Sequence, residues 1–390
     1  MPTRPPTRYP PGFWVIWTTV ALDLVGFGII VPILPRYAER FGASGIQVGL
    51  LVASFSAAQF VCSPLLGRLS DRVGRKPVLL LSLFGTAIGS FVTAAAGSLW
   101  VLFAGRIIDG MSGASVAVAQ GAVTDVAPEA DRPRLLGVLS AAFGIGFVIG
   151  PAIGGLASLG GPHLPFVVAG TVALINAMIA IRRLPETRRP AAPEARARSA
   201  SPLTRLWTLA LVGFLAICAF SGFETTFALF ADRRFGLTEG PVAVVFLAVG
   251  LLLVVVQIRL VGPVSARLGP LGALQLGLTC NAIGLALLAV TRSWLLLVPA
   301  LALLTVGQGI ALPNLTAAVA NRAPDEQRGE ALGFQQRWQA MGRIVGPVIA
   351  GVLFQQIGVG APYVAGAALA AAAVTMLARA PALRRVASSV

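Results

Sequence analysis

The stretch GRLSDRVGRKP, residues 67–77, sets one acid (Asp71), four bases (Arg68, Arg72, Arg75, Lys76) and two glycines between long apolar runs. Its first eight residues return as GPVSARLG at 262–269, 195 positions later. RFGAS at 40–44 returns as RFGLT at 234–238, an interval of 194. Pro128, Gly137 and Gly150-Pro151 return as Pro324, Gly333 and Gly346-Pro347, all at an interval of 196. Matches that keep their order across half a chain, drifting by two positions, point to two copies of one ancestral unit.

Composition says what kind of unit. Of 390 residues, 56% are hydrophobic and 12% charged, where a soluble protein carries about a quarter charged. Runs of about twenty apolar residues recur, each enough to cross a bilayer as a helix. Lipid offers the backbone no hydrogen bonds, so a spanning chain is helical or a closed barrel. The runs lack the alternation of barrel strands, which leaves helices. The run beginning at Phe13 is too long for a signal peptide and lacks a small-residue cleavage site, so it reads as the first span. The net charge of +15 sits in short connections between spans, an orienting pattern rather than a nucleic-acid surface. Cys62, Cys218 and Cys280 fall inside apolar runs, and His163 stands alone in a connection. Neither a disulfide framework nor a metal spacing is present, and no Ser/His/Asp set or phosphate loop suggests an enzyme. No cofactor is expected beyond a proton gradient.

The expected fold is an all-α integral membrane protein of twelve transmembrane helices in two pseudo-symmetric six-helix bundles. Spans are placed near 13–35, 46–67, 78–96, 99–121, 134–157, 164–182, 205–231, 241–261, 271–291, 294–319, 330–356 and 361–379. That gives an N-terminal bundle over 1–182, a linker rich in Arg, Pro, Ala and Ser over 183–204, and a C-terminal bundle over 205–390. With both termini in the cytoplasm, 22 of the 30 Lys and Arg lie on that side, as the positive-inside rule asks. Two parallel six-span repeats joined by a linker describe secondary transporters, in which the bundles rock about a midplane site. The matching phrases at 67–74 and 262–269 differ in one telling way: Asp71 corresponds to Ala266. Bases suffice to orient a chain, so the acid suggests a latch, capping the positive N-terminal end of a helix in the other half.

GRLSDRVGRKP resembles the loop 2–3 signature of the major facilitator superfamily. ALDLVGFGIIVPILPRY is similar to the first span of its twelve-helix drug:proton antiporters, GRIIDGMSGA to the fourth-span pattern, and GIGFVIGPAIGG to the fifth-span signature of proton-coupled exporters. The closest likeness is to tetracycline-type and multidrug efflux proteins. The resemblance implies a cytoplasmic latch made of Gly67, Asp71, Arg72, Gly74, Arg75, Lys76 and Asp125. In it Asp71 meets the start of the eleventh helix, and Asp125 pairs with Arg72 or Arg75. Asp109 departs from the pattern, which there has a small or amide residue.

Six ionisable residues fall at bilayer depth: Asp23, Arg106, Asp109, Glu224, Arg337 and Arg343. Each costs about 2.5–3.5 kcal/mol even on the lenient insertion scale, so each asks for a function or a partner. Arg106 and Asp109, three apart, share a helix face, either as a self-neutralised structural pair or as a proton relay. Asp23 and Glu224 lie deep in spans one and seven; a buried acid that loads a proton and yields it to a nearby cation is the chemistry of an exchanger. Proton coupling is therefore assigned to Asp23, Glu224, Arg106 and Asp109. In span eleven, GFQQRWQAMGRIVGP offers Gln335, Gln336, Trp338, Gln339 and Arg343 to a mixed polar and aromatic substrate cavity, or equally to interhelical hydrogen bonds. Arg337, nearer the helix end, can snorkel. Gly144, Gly146, Gly150, Gly154 and Gly155 with Pro151, and Gly346 with Pro347, mark gating helices that approach closely and bend at equivalent points.

The expectation is a proton-coupled exporter of small amphiphilic compounds, working by alternating access as a monomer. Its partners are the lipid bilayer, a small-molecule substrate and protons, with no nucleic acid. It is placed in a bacterial cytoplasmic membrane. The competing reading keeps the fold and moves a sugar, amino acid or lipid precursor by uniport or symport.

Overall fold

The computed structural model describes residues 9–128, 131–187, 206–323 and 328–379; from residue 188 onward the expected linker lies outside them. Among the described residues every regular element is a helix. In chain order these are α1 (Phe13–Ile30), α2 (Leu34–Glu39), α3 (Gly45–Val73), α4 (Arg75–Ala94), α5 (Leu99–Ser112), α6 (Ser115–Val126), α7 (Arg132–Ser140), α8 (Ala142–Ser158), α9 (Leu164–Arg183), α10 (Trp207–Phe235), α11 (Glu239–Arg259), α12 (Val261–Val290), α13 (Trp294–Ala320), α14 (Arg328–Gln356) and α15 (Ala361–Arg379). Eleven stretches are long and apolar enough to cross a bilayer, with α5 continuing into α6 and α7 into α8. Of the twelve expected spans, the one outside this count is α14. Its 29 residues give it the length, but Arg337, Arg343 and five glutamines make it too polar.

Several boundaries differ from those read off hydropathy, which ends a span at the first charge. A helix that has left the lipid has no reason to stop there. The stretch 67–77 is accordingly not a loop: α3 runs through Gly67, Arg68, Asp71 and Arg72 to Val73, and α4 starts at Arg75. The whole turn is Gly74, whose φ of 112° is reached readily only without a Cβ. The second copy makes the same corner. There α12 bends at Gly269, 195 residues on, with φ 67°. The other repeated phrase behaves alike, since Gly42 and Gly236 have φ 75° and 65°. At the start of the chain α1 stops at Ile30, and Pro32 and Pro35 turn it into the short α2.

The helices fall into two compact units. One holds α1, the second half of α3 and α4 to α9; the other holds α2, the first half of α3 and α10 to α15, the cuts falling after Ile30 and Ser56. In the first unit α1 lies against α8 along most of its length. The contact is backbone to backbone. A Cβ on Gly28 would strike the Gly146 carbonyl oxygen, and one on Gly146 would lie 2.6 Å from the Leu24 oxygen. Gly150 has no more room, with Gly28 beside it. In the second unit α10 meets α14 in the same manner. Gly346 abuts the Cys218 carbonyl, a Cβ on Gly342 would lie 2.8 Å from the Phe214 oxygen, and one on Gly222 would lie 3.2 Å from the Ala350 Cβ. Leu24 and Gly28 match Cys218 and Gly222 at the 194 interval, and Gly146 and Gly150 match Gly342 and Gly346 at 196. The repeat in sequence is thus a repeated helix crossing. Apolar side chains finish each unit, around Phe13, Val20, Leu83 and Val118 in one and Leu209, Val212, Leu278 and Leu315 in the other.

Gly150→Val and Gly346→Val should each cost about 1–3 kcal/mol by overpacking the crossing. Gly333→Ala, where a Cβ meets nothing within 4 Å and the backbone is helical, should stabilise by about 0.4–1 kcal/mol. Thermal unfolding of the purified variants in one detergent checks both.

Candidate functional site

Span four carries the first half of the site because it is broken. The α5 helix ends at Ser112 and α6 begins at Ser115, while Gly113 (φ −73°, ψ 44°) and Ala114 fold into a tight turn. In that turn the Gly113 N–H reaches Gly110 at 3.0 Å and the Ala114 N–H reaches Ser112 at 2.7 Å, so the α-helical ladder stops. A break inside a span exposes polar backbone that lipid cannot satisfy. The Gln59 side chain on α3 answers it, donating to the Gly113 carbonyl at 2.7 Å. On the other side of the break the Ser115 hydroxyl, buried, donates to the Asp23 carboxylate of α1. About one and two turns back along α5, Asp109 and Arg106 are both buried and paired at 2.6 Å, and Asp109 is an electrostatic neighbour of Asp23. Asp23, Arg106 and Asp109 therefore form one cluster around the break, to which the sequence reading had not assigned Gln59 or Ser115.

The second copy shows what the Arg106–Asp109 pair is not for. Gly89 of α4 packs on α5, where a Cβ would lie 2.8 Å from both the Asp109 nitrogen and the Gly105 oxygen. Gly284 of α12 packs on α13 in the same way, 2.7 Å from the Leu304 nitrogen and 2.9 Å from the Ala300 oxygen. At that 195 interval Arg106 and Asp109 correspond to Leu301 and Leu304. An identical crossing closes with two leucines, so packing does not require the ion pair.

In the second unit Glu224 of α10 is half-buried, two residues past Gly222, and its electrostatic partner is Arg343 of α14. Arg343 is exposed, as are Gln336 and Arg337. The remaining candidates on α14 turn inward. Gln335 is buried and donates to Thr316 of α13 at 3.3 Å; Gln339 is buried beside Gly213 of α10. Trp338 joins Trp207, Phe214 and Phe334 in an aromatic cluster, 4.9 Å from Trp207 between ring centres. These three groups tie α14 to its neighbours. In the first unit Gly146, Gly150, Pro151, Gly154 and Gly155 are all buried on α8, as Gly346 and Pro347 are on α14.

At the Gly74 corner, Arg75 is the hub. Its guanidinium holds Asp125 at 2.8 Å, Asp71 at 2.7 Å and the Ser70 hydroxyl at 2.7 Å. Arg72 points to the surface. Of the two bases offered for Asp125, the partner is Arg75. A further acid completes the corner. Glu186, read from sequence as part of a linker, accepts the backbone N–H groups of Arg75 and Lys76 at 2.8 and 3.1 Å. Free N–H groups and the positive dipole end at the start of α4 favour a carboxylate there. The same carboxylate fills the space a side chain on Gly74 would need. Gly67, by contrast, has open space around it.

At the opposite end of the helices, within the second unit, α2 is bound to α10 and α11 by charge. Arg36 meets Asp232 at 3.2 Å and donates to the Leu237 carbonyl; Arg233 meets Glu39 at 3.5 Å, and Arg40 meets Glu239 at 2.8 Å. The start of α3 then packs on α14 backbone to backbone, Gly45 against Gly351 and Gly49 against the Pro347 carbonyl. Partial burial raises the pKa of the Glu39 carboxyl, against the opposing pull of Arg233.

A sequence profile of the Major Facilitator Superfamily matches residues 16–289 and 260–389. The chain belongs to the major facilitator superfamily. Within it the chain is 34% identical to the class C tetracycline resistance protein of Escherichia coli over 353 residues, covering 87% of this chain and 89% of that one. It is 29% identical to multidrug resistance protein 2 of Bacillus subtilis, covering 88% of each. Among solved structures, the human organic anion transporter MFSD10 superposes with a TM-score of 0.73 at 26% identity, covering 96% of this chain and all of that one. A peptide transporter, POT, superposes at 0.81 with 15% identity over 98% of this chain and 97% of that one, a likeness of fold alone. Like these superfamily members, the chain is a multi-pass membrane transporter.

Two outcomes follow for this transporter. Arg75→Ala, which frees two acids at once, should cost about 1–3 kcal/mol, and Arg72→Ala less than about 0.5 kcal/mol, read by thermal unfolding in detergent. A carboxyl with a raised folded pKa contributes stability that is present below about pH 4.3 and lost as pH rises through its folded value. Glu39→Gln, which cannot ionise, should therefore remove that component from the melting temperature measured against pH.

Proposed function

We propose that the chain is a proton-coupled exporter of small amphiphilic compounds, of the tetracycline and multidrug resistance kind, driven by the proton gradient across a bacterial cytoplasmic membrane. Both termini lie in the cytoplasm, where the positive-inside rule puts the Gly74 corner. The observation that carries the reading is the acid at the break. In a chain a third identical to a tetracycline resistance protein along nearly nine-tenths of its length, Asp23 lies on the first span beside a discontinuity in the fourth. Broken helices at membrane depth are where transporters of this kind bind ions and substrate.

Protons arriving from outside load Asp23 in one half and Glu224 in the other. Arg106 pairs with Asp109 beside Asp23, and Arg343 is the electrostatic partner of Glu224, so each loading acid has a cation within its reach. A cationic or amphiphilic substrate and the proton then compete for the same carboxylates, so each drives the other off. At the Gly74 corner Arg75 gathers Asp71 and Asp125, and with Gly67, Arg72, Gly74 and Lys76 these residues supply the cytoplasmic latch, in which Asp71 is the acid.

Inside-out membrane vesicles test this. Tetracycline or a lipophilic cationic dye should accumulate when the lumen is made acidic and should leak back when the gradient is collapsed. Asp23→Asn combined with Glu224→Gln should reduce accumulation to background with the protein still present in the membrane. Accumulation that survives either treatment would overturn the proposal.

A further inference from the structure

We propose that Ser115 is the positioning residue for Asp23, and that the break in span four exists to present it. The inference rests on the reading that Asp23 exchanges protons, and adds the residue through which that exchange is felt in the fourth span.

Hydroxyls inside this protein's helices ordinarily turn back on their own helix. Thr19, Thr93, Ser112, Thr124, Thr225 and Thr305 each donate to the carbonyl four residues earlier, at 2.7 to 2.9 Å. Ser115 does not. The carbonyl four residues before it belongs to Met111 on α5, on the far side of the Gly113–Ala114 turn. Cut off from that acceptor, the hydroxyl reaches across to the Asp23 carboxylate on α1. The break is fixed rather than frayed, because Gln59 holds the Gly113 carbonyl. Beyond it, α6 starts with Ser115 itself and runs for twelve residues, so its first N–H groups have no helical partner and its positive end lies beside the acid.

The other ionisable groups facing Asp23 are few. From α5 come Asp109 and its partner Arg106. The α8 helix has no ionisable residue, α9 has Arg182 and Arg183 in its last turn, and α1 has none besides Asp23. Asp125 lies at the far end of α6 and is held by Arg75. The Ser115 hydroxyl is therefore the neutral donor that distinguishes the two states of Asp23. It bonds strongly to the ionised carboxylate. When Asp23 takes a proton onto a carboxylate oxygen, that charge-assisted bond and the dipole attraction both weaken, and the tie between α1 and the start of α6 loosens. When the proton leaves, the tie re-forms. Protonation in span one is thereby transmitted to the geometry of span four.

Infrared titration of the full-length protein reconstituted in lipid tests this without a ligand. The carboxylic C=O band that disappears in Asp23→Asn belongs to Asp23, and its amplitude against pH gives the titration midpoint. Ser115→Ala should move that midpoint by about one pH unit toward higher pH, because a donor to the ionised form has been removed, and should change the frequency of the band. Ser115→Thr, which keeps the hydroxyl, should restore both. If Ser115→Ala is not recovered folded, Ser115→Cys, a weaker donor of similar size, should move the midpoint in the same direction by less. An Asp23 band whose midpoint is the same with serine, alanine or cysteine at this position overturns the role of Ser115 and leaves proton exchange at Asp23 standing. The absence of any titrating band sensitive to Asp23→Asn overturns the underlying reading and this inference with it.

Discussion

Close approach of helix backbones through glycine is the contact on which the rest of this structure depends. Inside a bilayer there is no hydrophobic gain in bringing helices together, since lipid tails are as apolar as leucine; association comes from packing and from interhelical hydrogen bonds. The α1–α8 and α10–α14 crossings meet that requirement twice, with Gly28, Gly146 and Gly150 in one unit and Gly222, Gly342 and Gly346 in the other. Because these helices touch along their backbones, residues a few positions away are held at fixed depth. Asp23 and Glu224 are such residues, and their polar neighbours can be placed with the precision that a loop would not give.

Charge in a dry interior is tolerated where its partners are built in. A lone ionised group at mid-bilayer costs about 2.5–3.5 kcal/mol or more, of the same size as one charge-assisted hydrogen bond, about 1.5–3 kcal/mol. One good partner therefore decides whether such a group is affordable. Asp109 has Arg106, Asp23 has Ser115, and the carbonyl exposed by the break in span four has Gln59. The same logic runs at the helix ends, where Glu186 closes the N-terminus of α4 and Arg75 gathers Asp71 and Asp125. The copy with Leu301 and Leu304 shows that this helix crossing closes without a buried pair.

Much of this was legible in the sequence, for a physical reason. Several glycines in the phrases that recur at 194–196 are required, either by a left-handed corner, as at Gly74 and Gly269, or by a helix crossing, as at Gly150 and Gly346. Such positions hold their identity while apolar neighbours exchange freely. What escaped the sequence reading has no local signature. The break at Gly113–Ala114 contains no proline and lies inside an apolar run, so hydropathy passes over it. Glu186 lies 111 residues from the N–H it caps, amid an arginine-rich segment that reads as linker. The ion pairs of α2 join residues about two hundred positions apart, and nothing in Arg36 or Arg40 alone points to Asp232 or Glu239. The unpaired N–H groups that follow a one-residue corner at Gly74 are a signal that an acceptor must exist, and they would have been reason to search the flanking acids.

The central claim is that acids held in the membrane interior by these contacts exchange protons for substrate. The direct measurement is of protons themselves: purified protein in weakly buffered detergent, with tetracycline added and the pH followed. The account predicts proton release in proportion to bound compound, reduced when Asp23 or Glu224 is neutralised. Binding of the compound with no proton released, at any pH between 5 and 8, the range in which such a group must titrate to be useful, would contradict it.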